Sequence, residues 1–209
     1  MRARDYFDQV APHWDEMRKS LFSEAVRDKA LRIADVRKGR IAADIGTGTG
    51  FITEGLIRRE VKVIAVDRSK MMLTEMRKKL RSSREIEYCV GDAENLPITD
   101  KAVDYVFSNM CLHHLDFPLK AIKEMTRILK PEGKLVVTDM DKHDFEFLKI
   151  EHHDRWMGFE REDIKRWLKE AGLKNINVEC ANETCCAQSS CGENAEISIF
   201  LASGERGKH

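Results

Sequence analysis

An α/β fold built on a mainly parallel sheet is predicted by three observations. Short apolar runs of strand length alternate with apolar residues at helical spacing along most of the chain. The run Ile41 to Ile45 ends in glycines at alternate positions, Gly46, Gly48 and Gly50, and passes into a helical pattern. The next apolar run, Val61 to Val66, delivers a carboxylate, Asp67, at its carboxyl end. Strand, glycine turn, helix, strand and acid together make the frame of a nucleoside-binding βαβ unit.

Composition bounds the answer. The chain has 209 residues, enough for one domain with a sizeable core. Lys+Arg and Asp+Glu balance at 36 each, so no excess of charge argues for nucleic acid or an anionic membrane as partner. The stretch Met1-Arg2-Ala3-Arg4-Asp5 meets no apolar leader and no run is long enough to span a bilayer, so a cytoplasmic setting is expected. Six cysteines without a secretion signal read as thiols or ligands rather than a disulfide framework.

The glycine spacing narrows the ligand. A dinucleotide fingerprint is G-x-G-x-x-G, with room for a pyrophosphate over the helix N-terminus. This chain has D-x-G-x-G-x-G, and Asp44 would repel a pyrophosphate while helping to hold, directly or through water, the ammonium of an amino-acid-bearing nucleoside. Glycines let the backbone approach that ligand, and the helix start turns its N–H groups toward it. Asp67 is placed to accept from both ribose hydroxyls. From about Tyr6 to Ala202 the chain resembles a class I S-adenosylmethionine-dependent methyltransferase. The resemblance implies a Rossmann-like seven-stranded sheet of order 3-2-1-4-5-7-6, last strand antiparallel, with helices on both faces.

Before the first strand, Tyr6 to Asp15 mixes aromatic and polar residues; it is similar to the segment that closes over the cofactor in small-molecule methyltransferases, or else it is a helix packed on the sheet edge. Phe22, Val26, Ala30 and Ile33 then read as a core-facing helix, so 1–38 forms a helical cap. After Asp67, Ser69 is placed to cap a helix whose Met72, Leu73, Met76 and Leu80 share a face. Ile86 to Val90 is the third strand. Gly91 to Pro97 follows, and the resemblance puts adenine at Asp92-Ala93; an Asx turn ending the strand is the plainer reading. With Asp44 and Asp67, Asp92 makes three acids at strand ends in register.

Asp104 to Met110 is the fourth strand, and its carboxyl end lies across the switch point from the glycine turn. Asn109 to His114 is therefore expected to border the reactive methyl, with His113 or His114 as general base or as pocket wall. Pro118 suits a first helical position before Leu119, Ile122, Met125 and Leu129. Lys130-Pro131-Glu132-Gly133 turns that helix into the fifth strand, Lys134 to Thr138. The connection 140–160 reads as a lid-like insertion. Its His152-His153-Asp154-Arg155-Trp156-Met157-Gly158-Phe159 resembles a segment of methyltransferases that occur with arsenic-responsive regulators. Ile164, Trp167, Leu168 and Ala171 line the last helix, Ile176 to Val178 and Ile197 to Ala202 complete the sheet, and 204–209 reads as a loose tail closing a single domain, 1–203.

Residues 180–195 read as a cysteine-rich hairpin loop at the cofactor rim. Cys185, Cys186 and Cys191 are candidate ligands for a soft metal or metalloid, arsenite or zinc, with Cys111 as a further ligand. A surface loop with incidental or redox-active thiols is the alternative. The site residues carried over from the resemblance are Tyr6, Asp44, Gly46, Thr47, Gly48, Gly50, Asp67, Arg68, Asp92, Ala93 and Asn109 for S-adenosylmethionine. The expected activity is methyl transfer to a small molecule, a thiol or metalloid acceptor first and a quinone-like ring second. A cofactor-binding metal or redox sensor without turnover is the competing class; a nicotinamide oxidoreductase is disfavoured by the glycine spacing and by Asp44. Oligomeric state is not read from the sequence.

Overall fold

The computed structural model of the protein describes residues 3–208; Met1, Arg2 and His209 lie outside the described residues. Seven strands form one sheet: β1 Ile41–Ile45, β2 Lys62–Asp67, β3 Ile86–Val90, β4 Val103–Asn109, β5 Leu129–Met140, β6 Leu173–Gln188 and β7 Asn194–Arg206. Their order is β3-β2-β1-β4-β5-β7-β6, as expected. The first five pair in parallel, while β7 runs antiparallel to both β5 and β6.

Alternation along buried strands sends successive side chains to opposite faces. Ala42 thus joins one apolar layer with α3 Glu24–Ile33, α4 Phe51–Ile57 and α5 Lys70–Lys79. Its neighbour Ala43 joins the other, with α6 Pro118–Ile128 and α8 Arg161–Glu170. Ser69 caps α5 by accepting from Met72 N (3.0 Å), and Met72, Leu73, Met76 and Leu80 are all buried, as their spacing predicted. Two further helices, α1 Ala3–Val10 and α2 Trp14–Leu21, cover the carboxyl edge of the sheet, and the short α7 Phe147–Glu151 lies in the connection after β5.

Three boundaries differ from expectation. Residues 180–195 are mostly strand rather than loop: β6 pairs with β7 as far as Gln188↔Asn194, and the turn proper closes with Ser189 N to Glu193 O (2.8 Å). The polar run Asn182-Glu183-Thr184 masks this in the sequence because it is a bulge, with Asn182 at φ 61° and a register shift between Cys180 and Thr184. Of the expected tail 204–209, His209 lies outside the described residues, and residues 204–206 belong to β7, which continues to Arg206. There the Arg206 guanidinium donates to the carbonyls of Thr126, Arg127 and Leu129 and so closes the C-terminal end of α6. Finally, β5 begins at Leu129, and Lys130 to Gly133 bulge out of it, with Glu132 at φ 62°.

Among the described residues, no helix is long and apolar enough to cross a membrane. The Arg206 contact generates a stability prediction. Arg206→Ala leaves three carbonyls without their cationic donor and is expected to destabilise the fold by about 1–2 kcal/mol. A thermal melt then shows a midpoint lowered by a few degrees; an unchanged midpoint would mean that the end of the chain is dispensable.

Candidate functional site

The glycine turn is held from beneath. Asp44, still inside β1 and fully buried, accepts at Oδ2 from Thr47 Oγ1 (2.7 Å), Thr53 Oγ1 (2.7 Å) and Thr53 N (3.1 Å). It therefore ties the turn to the first turn of α4 and does not line the cavity above. The three acids are not in register: Asp44 pairs with Ala65, two residues short of Asp67, and Asp92 lies beyond the end of β3. Burial pushes the Asp44 carboxyl up to about 6, against the pull of its hydrogen bonds from Thr53 and Thr47. Asp67 steadies the same turn from the side, accepting from Gly48 N (2.8 Å) and Ser69 N (2.8 Å). A carboxylate offers about four lone pairs, so each oxygen keeps capacity for a ligand hydroxyl.

The glycines serve different needs. Gly46 (φ 69°), Gly48 (φ 54°) and Gly50 (φ 94°) all sit in the left-handed region. A Cβ on Gly46 would meet Cys111 Sγ at 2.3 Å, and one on Gly50 would meet the Met76 side chain at 3.0 Å. At Gly48 it would meet only Trp14 Nε1, at an ordinary 3.5 Å, so Gly48 is the position open to a ligand.

Above the turn lies a cavity of about 900 Å³ counted out to its open mouth, walled by Trp14, Gly48, Asp67, Met72, Ala93 and Asn109 among others. Of the sequence-predicted residues, Gly46, Thr47, Gly48, Asp67, Arg68, Ala93 and Asn109 line it, whereas Tyr6, Asp44, Gly50 and Asp92 do not. Asp92 makes the Asx turn instead, accepting from Glu94 N (2.9 Å), and pairs with Arg68 at 3.5 Å in the outer vestibule. Asn109 accepts from Thr138 Oγ1 (2.7 Å), which fixes its amide oxygen.

A second, smaller cavity adjoins the first. Phe7, Trp14, Phe22, Met110 and His114 belong to the walls of both. Tyr6, His113, Asp154, Leu148 and Cys185 are among the other residues that line the second. The connection 140–160 forms part of this wall and is packed: Arg155 N and Trp156 N both donate to His113 O, and Trp156 Nε1 donates to Leu115 O (2.9 Å). Gly158 (φ 64°) permits the crossing, since a Cβ there would strike Asp141 O at 2.1 Å. This packing delivers Asp154 to the two histidines, with Oδ1 at 3.7 Å from His113 Nε2 and 3.6 Å from His114 Nδ1.

His113 is oriented from behind by Asp139, whose Oδ1 lies 2.6 Å from Nδ1. Asp139 is wholly buried and also accepts from Met140 N and Leu112 N, so the imidazole is the donor. Burial alone would lower the His113 pKa, but the charges of Asp139 and Asp154 and the Asp139 hydrogen bond push it up to about 9. Burial and then the His113 charge hold His114 well below its ordinary value. Burial pushes Asp154 up to about 6 against the pull of His113.

The candidate ligands Cys185, Cys186 and Cys191 are not brought together. Consecutive strand residues face opposite ways, so Cys185 is buried in the second cavity wall while Cys186 points out to solvent. Cys191 lies in the turn beside Ser189 Oγ (3.2 Å). Burial and the Asp154 charge push the Cys185 thiol up to about 12, so it is no ready thiolate. Asp139 and Asp154 are the residues that sequence reasoning missed. Asp154 stands inside the quoted His152 to Phe159 motif, yet no periodicity marks it or Asp139 as partners of His113.

An open sheet with this order, whose ligand cavity lies over a glycine turn at the switch point, defines a Rossmann-like nucleoside-binding domain. Residues 43–137 match the methyltransferase domain family. The demethylmenaquinone methyltransferase of Lactobacillus johnsonii is 31% identical over 155 residues, 70% of this chain and 64% of that protein. The chain thus spans just under two thirds of the length of that relative. The chain solved with the Trm112 methyltransferase activator of Haloferax volcanii is 21% identical and superposes at TM-score 0.80, over 99% of this chain and 98% of that one. An S-adenosylmethionine-dependent methyltransferase from Aquifex aeolicus is 21% identical with TM-score 0.69, over 95% and 97%. Residues 43–137 thus match a methyltransferase domain, and the chain resembles S-adenosylmethionine-dependent methyltransferases, an enzyme of quinone biosynthesis among them.

Two predictions follow from the turn. Gly46→Ala forces a Cβ onto Cys111 at a left-handed backbone and is expected to cost about 2–4 kcal/mol. Adding Cys111→Gly should recover the packing part but not the backbone part, read from denaturant midpoints; no recovery would mean that the contact is not the cause. For Asp44, the folded pKa lies above the unfolded one, so its stabilising proton is fully bound below about pH 4 and lost as pH rises through about 6. Asp44→Asn, which does not titrate, should therefore gain on the native protein in thermal midpoint as pH rises from about 4 to about 6, and the difference should level off above about pH 7. A constant difference would contradict the sign.

Proposed function

We propose that the protein transfers a methyl group from S-adenosylmethionine to a small molecule bound in the second cavity. The observation that carries this reading is the pair of adjoining cavities sharing Phe7, Trp14, Met110 and His114. The first fits the cofactor: Gly48 leaves the backbone open, Asp67 keeps lone pairs for ribose hydroxyls, and Ala93 and Met72 offer an apolar slot for a base. S-adenosylmethionine supplies an electrophilic methyl on a sulfonium. The chain's own task is then to bind, orient and dry the acceptor, and such positioning is worth up to about 7–11 kcal/mol in favourable cases. Phe7, Trp14 and Phe22 exclude water, while His113 and His114 are the groups placed to meet a polar atom of the acceptor.

The acceptor is a small, largely apolar molecule with one ionisable oxygen or sulfur. A hydroxylated ring is favoured by the aromatic walls and by the likeness to the demethylmenaquinone enzyme. A thiol or arsenite acceptor is the second reading, supported by Cys185 in the same wall; the scattered Cys186 and Cys191 weaken it. Six free thiols suit the reducing cytoplasm.

The test is incubation with S-adenosylmethionine carrying a labelled methyl and a panel of small quinols, phenols, thiols and arsenite. Label is expected in a quinol or phenol; cofactor binding with no product from any acceptor would favour a sensor without turnover. Asp67→Ala should weaken cofactor binding by about 2–3 kcal/mol, the order of a lost charged hydrogen-bond pair, measured calorimetrically on protein whose melt confirms folding. Unchanged affinity would remove Asp67 from the cofactor site.

A further inference from the structure

We propose that His113, His114 and Asp154 form a binding site for one divalent transition-metal ion of the zinc type, opening into the second cavity. These side chains come together from two separate segments, and their ligand atoms all lie within 4.8 Å of one another. Asp154 is 7% exposed and His113 4%, so this is not a solvated surface cluster.

The hydrogen-bond inventory leaves a gap that a cation fills. Asp139 takes the proton of His113 Nδ1, which turns Nε2 toward Asp154. His114 Nδ1 is buried with no hydrogen-bond partner. Asp154 Oδ1 thus faces both imidazoles, at 3.7 Å from His113 Nε2 and 3.6 Å from His114 Nδ1. Those spans exceed the roughly 2.7–3.2 Å of a good hydrogen bond. They match ligand-to-ligand edges around an ion instead: with bonds of about 2.1 Å they subtend roughly 120°, within the range of a distorted tetrahedral site.

The surroundings agree. The Asp139 carboxylate behind His113 is the outer-shell partner that fixes the tautomer and direction of metal-binding imidazoles. Two buried carboxylates meet here with the His113 imidazolium as counter-charge, whose Nε2 proton a bound ion would displace; among the described residues neither makes an ion pair with a lysine or arginine, and Arg155 pairs with Asp116. Two nitrogens and one oxygen, with a fourth position left to the cavity, form a donor set that suits zinc and its neighbours better than calcium or magnesium. A borderline-soft ion there would present its open position to an oxygen or sulfur ligand from the cavity. The inference does not depend on methyl transfer, since binding is measured without turnover.

The experiment is titration of the full chain, stripped with chelator, by cobalt(II) alone and then zinc(II). The expected result is one equivalent of cobalt with the intense visible bands of tetrahedral coordination, displaced by zinc. Asp154→Asn and His114→Ala should abolish those bands, and Asp139→Asn should weaken zinc binding about 10–100-fold. Should the truncations unfold the chain, His114→Cys keeps a ligand and should add a sulfur-to-cobalt charge-transfer band, which a purely structural histidine would not produce. The proposal is overturned if no tetrahedral spectrum forms, if it persists in Asp154→Asn and His114→Ala, or if it is lost in a Cys185/Cys186/Cys191→Ser triple variant instead.

Discussion

Asp44 accepts three hydrogen bonds while fully buried, and the cavity above the glycine turn depends on that arrangement. Its carboxylate joins Thr47 of the turn to Thr53 of α4, so the turn and the helix start are fixed relative to β1 before any ligand arrives. A buried carboxylate left without donors would cost several kcal/mol, so the threonines and the acid require one another. With the underside settled, Asp67 can hold Gly48 from the side while keeping lone pairs toward the cavity. Binding geometry at the rim is thus a consequence of polar satisfaction one layer below it.

The same logic governs the second cavity. Asp139, next to last in β5 and wholly buried, draws His113 and the Leu112 amide onto itself. The short turn Leu112–His114 in turn anchors the 140–160 connection through the His113 carbonyl. What reads as a lid is therefore a wall fixed by backbone bonds. Its consequence is chemical: Asp154 is carried to the two histidines, and a carboxylate, two imidazoles and several aromatic rings share one small dry space.

The fold and the glycine turn beneath the first cavity were largely legible because their signals are local. The alternating glycines permit the left-handed backbone that the turn takes at all three, Asp67 ends the next strand, and Ser69 caps the helix that begins beside it. Asp44 shows the limit of such reading. Its position was recognised, but whether its carboxylate faces up to a ligand or down to Thr53 depends on strand register and on α4, and neither is written in a spacing. The cysteines show the limit from the other side: four thiols close in sequence suggest a cluster, yet a strand sends Cys185 and Cys186 to opposite faces.

By itself the sequence determined the class of fold, the strand at whose end a nucleoside would bind, and the turn that receives it, since each rests on backbone preferences within a few residues. Only the tertiary structure decided what the second cavity contains. Asp139 and Asp154 meet His113 across 26 and 41 residues of chain through a strand end and a packed crossing, with Oδ1 atoms at 2.6 and 3.7 Å. Contacts of that kind are set by how distant segments pack, so no local pattern of residues foretells them.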